Sequence, residues 1–148
     1  MKLISWNVNG LRAVFKKDFR QVVEAMSPDV LLLQETKLQA HQRADEMIAF
    51  GNYQSHWSYS LEKKGYSGVA AYTQPVPRHV GEGFGVDRFD LEGRVLELDY
   101  GDFVLFNVYF PNGQRDEERL QYKLDFYDDF FNYTDRLKDQ GRSLIITG

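Results

Sequence analysis

The chain contains no cysteine, which removes both a disulfide framework and a thiolate metal site from consideration and suits a reducing compartment. No apolar run approaches the length needed to span a bilayer. Met1 to Ser5 has no charged region leading into a long apolar core, so no signal peptide is visible. The expectation from these absences is a soluble, intracellular, cytoplasmic protein with no membrane partner. An excess of positive charge is missing too: the net charge is -4, which argues against a protein that coats nucleic acid through overall charge. A local basic rim around an acidic metal centre remains compatible with it. His41, His56 and His79 have no metal-ligand spacing, and no internal repeat, low-complexity tract or interdomain linker interrupts the 148 residues.

What is present is an ordinary core-forming composition. Hydrophobic residues make up 43% and aromatics 15%, well away from disorder and enough for one globular α/β domain. Lys2 to Trp6 reads as a strand. Leu11, Phe15, Phe19, Val22, Val23 and Met26 recur at helical spacing, and Ser27-Pro28 ends that helix. Val30 to Leu33 is a continuous apolar run, the mark of a strand covered on both faces, so strand, helix and strand form a parallel βαβ unit. A shorter helix is expected over 39–50, and strands over 56–59 and 68–73. The segment from Gln74 to Asp90 reads as a loop or irregular edge. Arg94–Asp99 and Phe103–Tyr109 form an expected hairpin. Leu120, Leu124, Tyr127, Phe131 and Leu137 mark a long helix that stops at Gln140-Gly141. Ser143 to Gly148 reads as one more strand, cut off as it reaches the sheet rim.

The polar residues that end these strands carry the chemistry. Asn7, Glu35 and Tyr109 each stand at or just past a strand end, where a mixed sheet would bring them to one edge. Glu35 is the best metal candidate, because Mg²⁺ takes hard oxygen ligands and is often held by one or two carboxylates plus water and phosphate. Taken singly, Glu35 also reads as a solvated loop carboxylate, Asn7 as a turn or capping residue, and Tyr109 as a half-buried strand aromatic. Arg12, Lys16 and Lys17 open the first helix, Lys37 follows Glu35 by two residues, and Arg115 and Arg119 are one helical turn apart. Arginine suits phosphate because its planar fork donates two parallel hydrogen bonds. Any one of these basic residues also reads as part of a solvated helical face. Gly65-Tyr66 offers backbone and an aromatic ring to a nucleic-acid strand, a weak signal alone.

Together, S-W-N-V-N-G-L-R, L-L-L-Q-E-T-K, G-Y-S-G-V-A, E-G-R-V and N-V-Y-F-P-N-G, in this order from Ser5 to Gly113, resemble the exonuclease III class of abasic-site endonucleases, within the endonuclease/exonuclease/phosphatase superfamily. The resemblance implies a divalent-metal phosphodiesterase, using Mg²⁺ or Mn²⁺, that cuts double-stranded DNA 5′ to abasic sites. It also implies 3′-phosphodiesterase or 3′-to-5′ exonuclease activity at 3′ ends. It makes Glu35 the metal carboxylate and Asn7 a partner that orients the site or the metal water. Tyr109 becomes the tyrosine that bonds the scissile phosphate. Arg12, Ala13, Lys17, Gly65, Tyr66 and Asn112 match positions contacting DNA phosphates, Arg115 matches an arginine that reaches the DNA, and Lys37 would offset transition-state charge.

Family domains continue past Ile-Ile-Thr-Gly with G-D-x-N and later an Asp-His pair. The implied unit, 1–148, is therefore the N-terminal portion of such a domain, truncated before its G-D-x-N motif and inactive alone. The implied fold is α/β, the mixed-sheet half of a four-layer sandwich resembling DNase I. The expectation is a mixed sheet with the 11–26 and 116–140 helices on one face. Its open apolar face, with Leu3, Val69, Ala71, Leu96, Val104 and Phe106 as candidates, would drive self-association. The alternatives are a superfamily phosphatase acting on a small or lipid phosphate ester, and a non-catalytic half-domain that only binds or assembles.

Overall fold

The computed structural model describes residues 1–148 and sorts eight strands into two four-stranded sheets. In the first sheet, β1 (Leu3–Asn7) runs parallel to β2 (Val30–Gln34), as the βαβ reading expects. Antiparallel β4 (Val69–Thr73) and β3 (Gln54–Ser58) complete it. In the second, β5 (His79–Glu82), β6 (Val95–Asp99) and β7 (Val104–Val108) are antiparallel neighbours. There β8 (Leu144–Thr147) adds parallel to β7.

Three apolar layers hold these sheets. Strand β2 is buried throughout and alternates between two of them, as a strand covered on both faces must. Leu31 and Leu33 point outward into a cluster with Leu11, Phe19, Val23 and Phe50, under α1 (Leu11–Phe15), α2 (Phe19–Met26) and α3 (Asp45–Ile48). Val30 and Leu32 point inward and meet Leu96, Leu98 and Leu105 of the second sheet, together with Val69 and Ala71. On the far side, Val104, Phe106 and Val108 pack under Phe126 and Phe130 of α5 (Glu117–Asp139). The order helix, sheet, sheet, helix is a four-layer α/β sandwich. Each such Leu, Val or Phe contributes about 1.5–3 kcal/mol when fully buried, so the layer between the sheets is a major source of cohesion.

This arrangement corrects the single-sheet expectation. The two helical segments lie on opposite outer faces, and the sheets cover one another. Val69, Ala71 and Leu96 are filled contacts between the sheets, Leu3 packs at their edge, and Val104 and Phe106 face α5. The sheet faces left partly open are those of β8, where Ile145 and Ile146 are exposed. At 74–90, where the sequence reads as a loop or irregular edge, the structure has the edge strand β5 and the short α4 (Asp87–Asp90). His79-Val80-Gly81-Glu82 is polar and broken by glycine, and its strand character comes from its ladder with β6.

Two helix boundaries also differ. The 11–26 helix is interrupted at Lys16-Lys17-Asp18, charged residues that send no apolar group to the sheet. The 39–50 helix reduces to a 3₁₀ turn at Ala40–Gln42 and short α3. The long helix starts where Asp116 accepts the Arg119 backbone N–H at 2.8 Å. No helix is long and apolar enough to cross a membrane.

Candidate functional site

Inner-face positions on β1, β2 and β7 turn polar as those strands approach one rim: Asn7 ends β1, Gln34 ends β2, and Tyr109 follows β7. Past Gln34 the chain turns through Glu35 and Lys37, both in the left-handed region at φ +54° and +52°. Backbone bonds on both sides hold that turn. The Glu35 carbonyl accepts from Gly10 N at 2.7 Å and the Thr36 carbonyl from Leu11 N at 3.0 Å. Thr36 N and Lys37 N donate to the carbonyls of Gly68 and Ser67 at 3.0 and 2.9 Å. Gly68, at φ +86°, is required there: an added Cβ would lie 2.4 Å from Thr36 Oγ1.

The turn presents Glu35 as a partly buried carboxylate with three neighbours. Asn7 Nδ2 donates to Glu35 Oε1 at 3.0 Å, while Asn7 Oδ1 accepts from Asn9 N at 3.0 Å, which fixes the amide orientation. Lys37 Nζ lies 3.1 Å from Glu35 Oε2 and also donates to Asn9 Oδ1. Tyr109 is the third neighbour, its phenol close enough to the carboxylate for each to shift the other's ionisation. Burial works against ionisation, but the polar hydrogens of Asn7, Tyr109 and Lys37 outweigh it and hold the carboxyl below its ordinary range. Tyr109 shifts the other way: burial first, then the adjacent carboxylate, raise its pKa, so it is a neutral donor at any physiological pH.

Recesses open on both sides of this centre. One, of about 520 Å³, is lined by Gly10, Arg12, Ala13, Lys16, Thr36, Lys37 and Gly65. The other, of about 180 Å³, is lined by Tyr66, Arg94, Tyr109, Asn112, Arg115 and Arg119. Arg94 is only 2% exposed, and a buried cation needs partners. It bonds Glu92 Oε2 at 2.5 Å, the Tyr109 carbonyl at 3.0 Å and the Tyr66 hydroxyl at 2.7 Å. Arg119 donates to the same hydroxyl at 3.0 Å. Arg115 is exposed and pairs only with its neighbour Asp116, at 2.7 Å.

The structure thus gathers Asn7, Glu35, Lys37 and Tyr109 at one centre, Arg12, Ala13 and Gly65 on one flank, and Tyr66, Asn112 and Arg115 on the other. Lys17 is exposed and lines neither recess, where Lys16 does. The sequence offered Arg119 only as one of several basic residues suited to phosphate, and gave no site role to Glu92 or Arg94. The available signal was E-G-R-V itself, a charged pair directly before the strand β6.

A hard divalent cation fits this centre in a limited way. Glu35 is ionised and at the surface, but no group of three or more His, Cys, Asp or Glu side chains exists to cage an ion. A cation that keeps most of its waters and leans on one carboxylate and a substrate phosphate matches that donor set. Asn7 turns its amide nitrogen to Glu35, so it orients the carboxylate.

A four-layer α/β sandwich whose two sheets deliver a carboxylate and a tyrosine to one rim, between recesses lined by basic residues, is the class of protein that fold and site define. The chain belongs to the endonuclease/exonuclease/phosphatase family, whose model matches residues 4–148. It is 41% identical to an exodeoxyribonuclease of Bacillus subtilis (strain 168) across 100% of this chain and 57% of that protein. It is 39% identical to a DNA-(apurinic or apyrimidinic site) endonuclease of Dictyostelium discoideum across 93% of this chain and 38% of that protein. Among solved structures, the 3′ phosphatase NExo from Neisseria bound to a product DNA hairpin superposes with a TM-score of 0.81. That match is 27% identical and covers 99% of this chain and 56% of that one. The chain therefore spans roughly 38–57% of the length of these proteins.

Proposed function

We propose that these 148 residues are the N-terminal portion of a divalent-metal-dependent DNA repair nuclease that hydrolyses the phosphodiester 5′ to abasic sites. Accompanying 3′-to-5′ exonuclease or 3′-phosphodiesterase activity belongs to the same reading. The observation that carries it is the ionised Glu35 beside neutral Tyr109, with basic residues in the recess on each side. Two flanking recesses suit a polymer with phosphates on both sides of the reacting one, and a small phosphate ester would use only one. The names of the relatives, an exodeoxyribonuclease and an apurinic-site endonuclease, support DNA as the substrate.

Glu35 would hold the ion, Mg²⁺ or Mn²⁺, with Asn7 fixing the carboxylate's orientation. When bound, the ion supplies Lewis-acid neutralisation of phosphate charge. Lys37, paired with Glu35, would turn its ammonium toward a phosphate oxygen of the substrate and offset charge there. Tyr109 keeps its proton and donates it as a hydrogen bond to a non-bridging oxygen. Arg12, Arg115 and Arg119 position the backbone through phosphate contacts. No histidine or second carboxylate stands at this centre to take a proton from water, so the 148-residue chain by itself is expected to cleave DNA only at background rate.

The test is cleavage of abasic duplex by the longer parent protein, with and without Glu35→Ala. Glu35→Ala should lower turnover at least about 100-fold, the scale of losing a principal electrostatic group, and weaken the dependence on Mg²⁺. Unchanged metal-dependent cleavage would place the metal carboxylate elsewhere. Cleavage by the 148-residue chain that disappears with Glu35→Ala would overturn its inactivity.

A further inference from the structure

The layer between the two sheets is apolar until it nears the rim, where three side chains depart from the pattern. Ser5 on β1, Gln34 on β2 and Asn107 on β7 occupy inner-face positions continuing Leu3, Leu32 and Leu105. Gln34 is 2% exposed and Asn107 fully buried. Placing two carboxamides in an apolar interface is costly unless they are bonded, and here they bond across it. Gln34 Nε2 donates to Asn107 Oδ1 at 2.7 Å and to Ser5 Oγ at 3.0 Å. Asn107 Nδ2 donates to the carbonyls of Leu33 at 3.0 Å and Ala70 at 2.8 Å, on β2 and β4. One side chain of the second sheet thereby grips two strands of the first.

Leucine and valine contacts are non-directional, so an apolar layer alone tolerates small slides of one sheet over the other. Hydrogen bonds are directional and penalise the same slide. Gln34 directly precedes Glu35, and Asn107 stands two residues before Tyr109 on the same face. The bonded pair therefore sits immediately beneath the place where the carboxylate of one sheet meets the phenol of the other. We propose that Asn107, with Gln34, is a positioning residue that locks the mutual setting of the sheets at the rim and so fixes the Glu35–Tyr109 contact. Its role in a reaction rests on the nuclease reading, whereas the contact is a property of the chain without metal or DNA.

The experiment uses the 148-residue chain free of metal and DNA, and reads by NMR the cross-peak between the Tyr109 ring and the Glu35 side chain. Asn107→Val suits a strand and removes all three of its side-chain bonds. The expected result is a folded variant that loses this cross-peak and whose shift changes concentrate at the ends of β1, β2 and β7. A folded Asn107→Val that keeps the cross-peak at full intensity and loses only denaturation midpoint would overturn the proposal, because Asn107 would then be a stabilising group without a positioning role. If Asn107→Val does not fold, Gln34→Met, which leaves the bonds from Asn107 to the Leu33 and Ala70 carbonyls, decides: a weakened cross-peak supports the lock and an unchanged one refutes it. In the unaltered chain, the Asn107 side-chain amide should exchange with solvent far more slowly than that of exposed Asn52. Equal rates would also refute it. A failure of abasic-site cleavage in the parent would leave these outcomes unaffected, so the two readings fail separately.

Discussion

Glu35 and Lys37 hold left-handed backbone conformations that side-chain-bearing residues rarely adopt. Strain of this kind persists where surrounding structure over-determines it, and here Gly10, Leu11, Ser67 and Gly68 supply the backbone partners. Gly68→Ala should therefore both destabilise the chain, by about 1–3 kcal/mol, and displace Thr36 beside the carboxylate. Urea denaturation together with Mn²⁺ titration checks the two effects, and an unaltered ion affinity would show that the turn absorbs the methyl without moving Glu35. The charge on Glu35 gives a second prediction. Its folded-state pKa is lowered, so its contribution to stability is present above its ordinary value of 4.5 and is lost as pH falls through the folded value. The unaltered chain should exceed Glu35→Gln in urea midpoint at pH 6, and the gap should shrink on acidification to pH 3. A constant gap would mean the carboxylate is not specially held.

Among the elements, α5 shows where periodicity alone misleads. Leu120, Leu124 and Phe131, read from sequence as marking the apolar stripe, are 46%, 46% and 45% exposed. The contact with the second sheet is made by Phe126 and Phe130, which stack on each other and meet Phe84 and Phe106 edge-on. Two overlapping stripes run along this helix, and spacing cannot say which one faces the sheet. Phe130→Ala should cost about 3–5 kcal/mol, as expected for a fully buried ring. Phe131→Ala, one residue on, should cost under about 1 kcal/mol. Thermal or urea unfolding of the two variants separates them, and equal losses would mean the helix is rotated from the face described. The strands were easier to read. β2 announced itself by a run with no polar interruption, and the β6–β7 hairpin by flanking turn residues, whereas β5 has no such pattern and exists because β6 offers an edge.

For the whole molecule, the rim residues Asn7, Glu35 and Tyr109 were legible because each interrupts an apolar strand at its end. Glu92 and Arg94 were not, because their partners come from distant segments and only folding brings Tyr66, Tyr109 and Arg119 around them. The same limit governed the packing of the two sheets: alternation shows that a strand has two apolar faces but not whether a helix or another sheet covers each. With most of both inner faces occupied, the apolar sheet surface left for self-association is at β8. The second sheet ends at β8, an edge strand carrying Ile145 and Ile146, which are 38% and 39% exposed. An apolar edge with unpaired backbone groups invites pairing with another chain. Light scattering should therefore find a monomer in dilute solution, with any association at high concentration suppressed by Ile146→Lys, which places a charge on that edge. Leu124→Lys, on the exposed stripe of α5, should leave the edge free and the association largely intact. Association that survives Ile146→Lys but is abolished by Leu124→Lys would move the contact from the sheet edge to the helix.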